Sequence, residues 1–215
     1  MIHAYDKWYL DKARIVLARM LDFAVYDLKY DMSKFFQMFI DSGVAARFGK
    51  GDFTVLVGKS GVEVAYEVLD KLNLQIEYVK PKITLERSEE YWTGWALAYY
   101  QWETSLSFEE IARYIPIHYV KAMYSPYHEM DIRHFVNKMN EMYLEAKPDT
   151  NLKMKRKQSG FSQRELSELS GVPVRTIQQY EQRQKNINKA QVEYLVKLSD
   201  ALCCDVECLL EKVLF

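Results

Sequence analysis

The sequence predicts an all-α chain, with a helical N-terminal domain over residues 1–147 and a five-helix bundle over residues 151–215. Three observations carry this prediction. Apolar residues recur at helical spacing through almost every long segment. Only two short stretches, 53–57 and 75–79, read as strands, and each is flanked by glycine, asparagine or proline. Finally, Pro148 stops one helical pattern, and Asp149, Thr150 or Asn151 offers the N-cap of the next.

Taken in order, Trp8, Ile15, Ala18, Met20, Leu21, Phe23 and Ala24 lie at amphipathic spacing and predict a helix over 6–28. A second helix over 31–40 stops near Gly43, and a third covers 62–72. The fourth, over 86–103, contains Trp92, Trp95 and Trp102, and helices over 108–114 and 131–146 complete the first domain. After the seam come five short patterns, 152–158, 163–170, 174–182, 189–202 and 206–213. Their core is expected from Leu166, Leu169, Val172, Ile177, Tyr180, Leu195, Leu198, Leu202 and Leu209.

Composition narrows the class. With 49% apolar and 14% aromatic residues among 215, the chain has ample material for a core. No run approaches the ~18 consecutive apolar residues of a membrane span, and the first fourteen residues lack the apolar stretch of a secretory signal. The expected compartment is the cytoplasm. Cys203, Cys204 and Cys208 lack the spacing of a zinc set and read as reduced, small apolar residues. The net charge of −1 hides an asymmetry, because residues 151–189 hold nine basic and three acidic side chains. A phosphate-facing surface requires such a local excess.

The basic segment contains the most informative motif. Ser162 and Glu165 form an S-x-x-E capping box at the start of a helix. Gly171 supplies the left-handed residue that ends it, and Pro173 presets the chain for the next helix after a turn of about three residues. Two helices joined so tightly must cross steeply, with Leu166, Val172 and Ile177 filling the angle. The second helix then projects its first residues outward, and its width suits the major groove of B-form DNA. Val174, Arg175, Gln178 and Gln179 lie away from the core positions and are the expected base contacts: arginine for guanine, glutamine for adenine, valine for a thymine methyl. Gln163, Thr176, Lys185, Asn186 and Lys189 are the expected phosphate contacts.

This segment, from about Leu152 to Leu210, resembles the helix-turn-helix domain of the phage Cro and repressor type, the lambda repressor-like family. The resemblance implies that Gln163 braces a phosphate and the start of the third helix, and that Pro173, Val174 and Arg175 lead into the groove. It also implies that Arg156 of the first helix pairs with Glu181 at the end of the third. Two positions depart from the family pattern: Ser167 stands where a small alanine is usual, and Arg183 where a glycine is common.

Other signals point elsewhere or nowhere. Gly58-Lys59-Ser60 invites a phosphate-binding loop, but the required earlier glycine position is Phe53. The aromatic run over 90–102 reads as a core helix or an interface; a sensor would need a concave aromatic pocket with a few polar groups. His118, His128 and His134 contain no i, i+4 pair. No catalytic residues, metal or cofactor are expected. The expected partners are double-stranded DNA and a second copy of the chain, with no membrane. The expected role is a repressor, or alternatively an antitoxin-like protein whose N-terminal domain binds a partner protein while the C-terminal domain regulates its operon.

Overall fold

The computed structural model describes residues 3–74, 77–82 and 87–213. It is all-helical, with no strand among the described residues, and divides into two compact units, Met1–Tyr143 and Leu144–Phe215.

In the first unit, α1 (Leu10–Tyr26) is buried along most of its length, including Ala13, Leu17, Ala18, Met20, Leu21 and Phe23. α2 (Met32–Asp41) is capped by Asp31, whose carboxylate accepts from Lys34 N at 2.9 Å. α3 (Val44–Gly49) and α4 (Phe53–Leu56) are short, and α5 (Gly61–Lys71) and α6 (Glu89–Thr104) flank α1. Two glycines permit that close packing. A Cβ on Gly61 would lie 2.5 Å from Val16 O, and one on Gly94 would lie 2.6 Å from Leu17 O. α7 (Phe108–Tyr114), α8 (Ile117–Ala122), α9 (Tyr124–Tyr127) and α10 (Ile132–Ala146) follow. Phe36, Phe39 and Phe48 close around Phe108 at centroid distances of 5.5–6.1 Å, and Phe108 and Ile111 bury the inner face of α7.

Two buried carboxylates of this unit, Asp22 and Glu90, are neutralised locally. Asp22 accepts from Arg19 and, at 2.6 Å, from Ser88 Oγ. Glu90 accepts from Lys121 at 2.6 Å and from the Tyr26 hydroxyl at 2.9 Å; burial works against its ionisation, yet these donors hold its pKa below the ordinary value.

The expected strand at 53–57 is instead α4. Asp52 nucleates it by accepting from Thr54 N at 3.0 Å, and a five-residue apolar run is too short for its period to separate strand from helix. Of the other expected strand, Gln75 and Ile76 lie outside the described residues, and 77–79 has no regular structure. Glu86, the expected start of the fourth helix, also lies outside them; α6 begins after Ser88, its cap.

The second unit contains α11 (Asn151–Gln158), α12 (Gln163–Ser170), α13 (Val174–Glu181) and α14 (Val192–Ala201). Lys189 falls in a 3-10 turn, Ile187–Lys189, ahead of α14, and the fifth helical segment is the 3-10 turn Val206–Cys208. Leu152, Leu166, Val172, Ile177, Tyr180, Ile187, Leu195, Leu198, Leu202 and Leu209 form its core. Leu169, expected among them, is 61% exposed. The inner face of α12 runs through Leu166 and Ser170, one turn apart, which turns Leu169 outward.

Candidate nucleic-acid interface

The geometry begins with the two caps of α12. Ser162 accepts from Glu165 N at 3.2 Å while the Glu165 carboxylate accepts from Ser162 N at 2.7 Å. That bond holds the Glu165 carboxyl below the usual range. At the other end Gly171 adopts φ +68°, and its N–H closes on Ser167 O at 2.8 Å. Pro173 then caps α13. Ser167 fits the close approach of the two helices because its hydroxyl donates to Val172 O at 2.7 Å.

Beneath this turn lies a charged brace. Arg156 on α11 donates to both oxygens of Glu181, from Nε at 2.6 Å and Nη2 at 2.9 Å, and its Nη1 donates to Phe161 O at 2.7 Å. Both residues are buried, and the bond to Glu181 raises the Arg156 pKa beyond the ordinary arginine value. Gln163 also donates to Glu181, at 2.8 Å, and accepts from Gln178 Nε2 at 3.4 Å. The start of α12, the middle of α13 and the end of α13 are thereby tied into one network.

Arg183 has φ +55°, the left-handed conformation that glycine adopts without strain. Its guanidinium donates to Pro148 O at 2.7 Å and Lys147 O at 3.1 Å, bonds that offset the backbone cost. The loop after α13 thus keeps a glycine-like course with a basic residue that is anchored inward.

The expected contacts fall into distinct groups. Arg175 is exposed and has no hydrogen bond or ion pair among the described residues. Val174, Thr176, Gln178 and Gln179 are half-buried on the same short helix. Lys185 and Lys189 are exposed, whereas Asn186 uses its carbonyl oxygen to accept from Asn188 N at 2.9 Å. Not all of the local basic excess is available. Asp149 holds Lys153 at 2.5 Å and Lys157 at 2.8 Å, and Arg156 and Arg183 are bound internally. Within residues 151–189 the exposed cations without a partner among the described residues are Arg164, Arg175, Lys185 and Lys189. Arg164 is absent from the sequence-based set; its signal is a basic residue directly after Gln163 in the first turn of α12.

This crossing of two capped helices by a glycine turn, with one exposed arginine leading the second, is a recognisable unit. Residues 152–207 match a helix-turn-helix family model. The C-terminal unit therefore carries a DNA-binding helix-turn-helix domain of the regulatory kind, as the resemblance implied. No curated protein and no solved structure matches the chain.

Outside the helix-turn-helix, Lys59 of the Gly58-Lys59-Ser60 sequence is bound to Glu67 at 2.7 Å, and Ser60 caps α5 through its own box with Glu63. His128 stacks on Tyr124, His118 lies tilted against Tyr119, and no metal-competent group of His, Cys, Asp and Glu is found among the described residues. Within the described residues, no helix is long and apolar enough to cross a membrane. Of the aromatic run, Trp92, Tyr100 and Trp102 are core residues, while Tyr91 and Trp95 line a cavity of about 210 Å³ with Arg87 and His128.

Proposed function

We propose that the protein is a dimeric transcriptional repressor that occupies an operator by inserting α13 into the major groove. The observation that carries this reading is Arg175, exposed and unpartnered at the second position of α13, directly after the preset Pro173 turn. From there its forked donors reach guanine, with Val174, Gln178 and Gln179 beside it for neighbouring bases. Lys185, Lys189, Thr176 and Arg164 supply phosphate contacts on either side, and Gln163 and Asn186 add donors from their amides. The second copy is required because one small module buries too little surface for tight, specific binding; two half-sites about 34 Å apart supply it. Leu169 on α12 and Val192 and Val196 on α14, all exposed, are apolar surface available to that copy.

The deciding experiment is binding of the full chain to the DNA upstream of its own coding sequence, against a random duplex, across a salt series. Arg175→Ala should weaken the specific complex by about 1–3 kcal/mol and leave nonspecific binding almost unchanged. A wild-type protein with no preference among duplexes and no salt-dependent binding would overturn the reading.

A second reading, an antitoxin-like protein that also binds a partner protein, is favoured by one observation. Trp8 of the N-terminal unit is 90% exposed, an unusual state for the residue type most enriched at binding hot spots. Co-purification of a protein encoded beside it, lost on Trp8→Ala, would select this reading.

A further inference from the structure

The N-terminal unit holds a groove of about 670 Å³ between the start of α1, the second half of α6 and the first half of α10. Its electrostatics differ from the rest of that unit. Arg19, Arg47 and Lys121 are each locked to carboxylates, but the cations lining this groove are not. Arg14 lies with its guanidinium 3.3 Å from the centroid of the Trp95 ring, and its Nε and Nη2 are shut off from solvent with no hydrogen-bond acceptor. Lys7 and Arg133 line the same groove, and neither side chain has an ion-pair or hydrogen-bond partner among the described residues. Two carboxylates also line it. Glu103 faces His3 at 3.8 Å, and Asp11 acts on Arg14 only through space. Burial pulls the Arg14 pKa down to about 10, a shift that Asp11 opposes without cancelling.

Two guanidinium nitrogens withdrawn from water without an acceptor are costly to keep, and an anion held beside the cation offsets that cost. Its stacking on Trp95 recovers part of that cost, but the contact satisfies no N–H group. A second arginine and a lysine stand at the same groove, whose other walls are Leu10, Tyr99 and Val136. We infer that this groove is a binding site for an oxyanion, a carboxylate or phosphate, carried on a small planar or apolar body. Arg133 supplies forked donors for the oxyanion, Arg14 supplies charge and its Nη1, the nitrogen not shut off from solvent, Lys7 supplies a mobile charge, and Tyr99 and the aliphatic walls hold the body. The site lies outside the helix-turn-helix, and the inference does not rest on the repressor reading.

The test uses the full chain and the tryptophan fluorescence of the N-terminal unit, since Trp8, Trp92, Trp95 and Trp102 are the only tryptophans. The protein is titrated with benzoate, inorganic phosphate and a blocked hexaglutamate peptide, with benzamide as the neutral control at matched ionic strength. At least one anion should give a saturable change that benzamide does not, weakened at least tenfold in Arg14→Met and in Arg133→Met and partly kept in Arg14→Lys. Saturation by benzoate shows that the planar body contributes, saturation by phosphate that the oxyanion suffices, and saturation by the peptide alone would overturn the small-molecule assignment in favour of an acidic protein segment. Arg14→Met should also leave the melting temperature unchanged or raise it, because it removes an unsatisfied cation. No saturable anion effect, an effect shared by benzamide, or an Arg14→Met protein that melts lower and binds anions as before would overturn the inference.

Discussion

Arg156 in the C-terminal unit and Arg14 in the N-terminal unit are both helical arginines drawn inward, but their surroundings are opposite. Arg156 is met by both oxygens of Glu181 and by Phe161 O, so each of its nitrogens has an acceptor. Arg14 is met by the face of Trp95, with Nε and Nη2 unsatisfied. The first arrangement gives every nitrogen an acceptor and uses the side chain to hold α11 against the end of α13. The second leaves donors over. Residue type and burial alone therefore do not separate a brace from a binding group; the presence of an acceptor does.

The comparison breaks most directly at Glu181. Glu181→Ala leaves Arg156 buried without its counter-charge, which should cost the C-terminal unit about 3–5 kcal/mol. Urea unfolding followed by circular dichroism would register the loss. Tryptophan fluorescence, which sees only the N-terminal unit, should not. Replacing the pair together, Arg156→Met with Glu181→Leu, should recover most of the stability, because apolar residues of similar volume need no partner. A single Glu181→Ala cost below about 1 kcal/mol would mean that the pair is not what secures α11, and the contrast with Arg14 would lose its meaning.

Two glycines sharpen the same point about what a position demands. At Gly94 a Cβ would stand 2.6 Å from Leu17 O and 2.8 Å from Ala18 Cα, so Gly94→Ala must push α6 off α1. The expected cost is about 1–3 kcal/mol, read by tryptophan fluorescence during unfolding. At Gly171 nothing lies within 4 Å, and only φ +68° opposes a side chain. Gly171→Ala should cost about 1 kcal/mol in the C-terminal transition. Equal losses at the two sites would show that packing against α1 is looser than the distances imply.

These particulars mark what a linear sequence can reveal. The helix-turn-helix was legible because its signals are local: Ser162 with Glu165, Gly171 and Pro173 fix the start and end of α12 and the start of α13 within a dozen residues. Long amphipathic helices such as α1 and α10 were legible through their period. The helices α3, α8 and α9 span four to six residues, too few for a period to emerge, and α4 mimics a strand for the same reason. Leu169 was misplaced because spacing alone leaves the edge of a helix face ambiguous by one position. What sequence could not reach is partnership. That Asp149 takes up Lys153 and Lys157, that Arg183 turns inward to Pro148 O, and that Arg14 finds no acceptor all depend on three-dimensional placement.

The smallest expected effect compares acid sensitivity in the two units. Asp52 in the first is held at about pKa 2 by hydrogen bonds from Thr54 and Arg47. Asp149 in the second is also lowered, by Lys153 and Lys157. A carboxylate whose folded pKa lies below its unfolded value stabilises the fold fully above the unfolded pKa, and that contribution fades as pH falls through the folded one. For Asp52 the window runs from about pH 4 down to about pH 2. Both groups are partly exposed, so screening by water and salt keeps the effect small. Melting temperature is measured from pH 7 to pH 2.5 at low salt. Asp52→Asn should flatten the acid slope of the tryptophan-detected transition alone, and Asp149→Asn that of the C-terminal transition alone. If either substitution flattens both slopes, the two units do not unfold independently, and the contrast between Arg156 and Arg14 must then be read within a single cooperative structure.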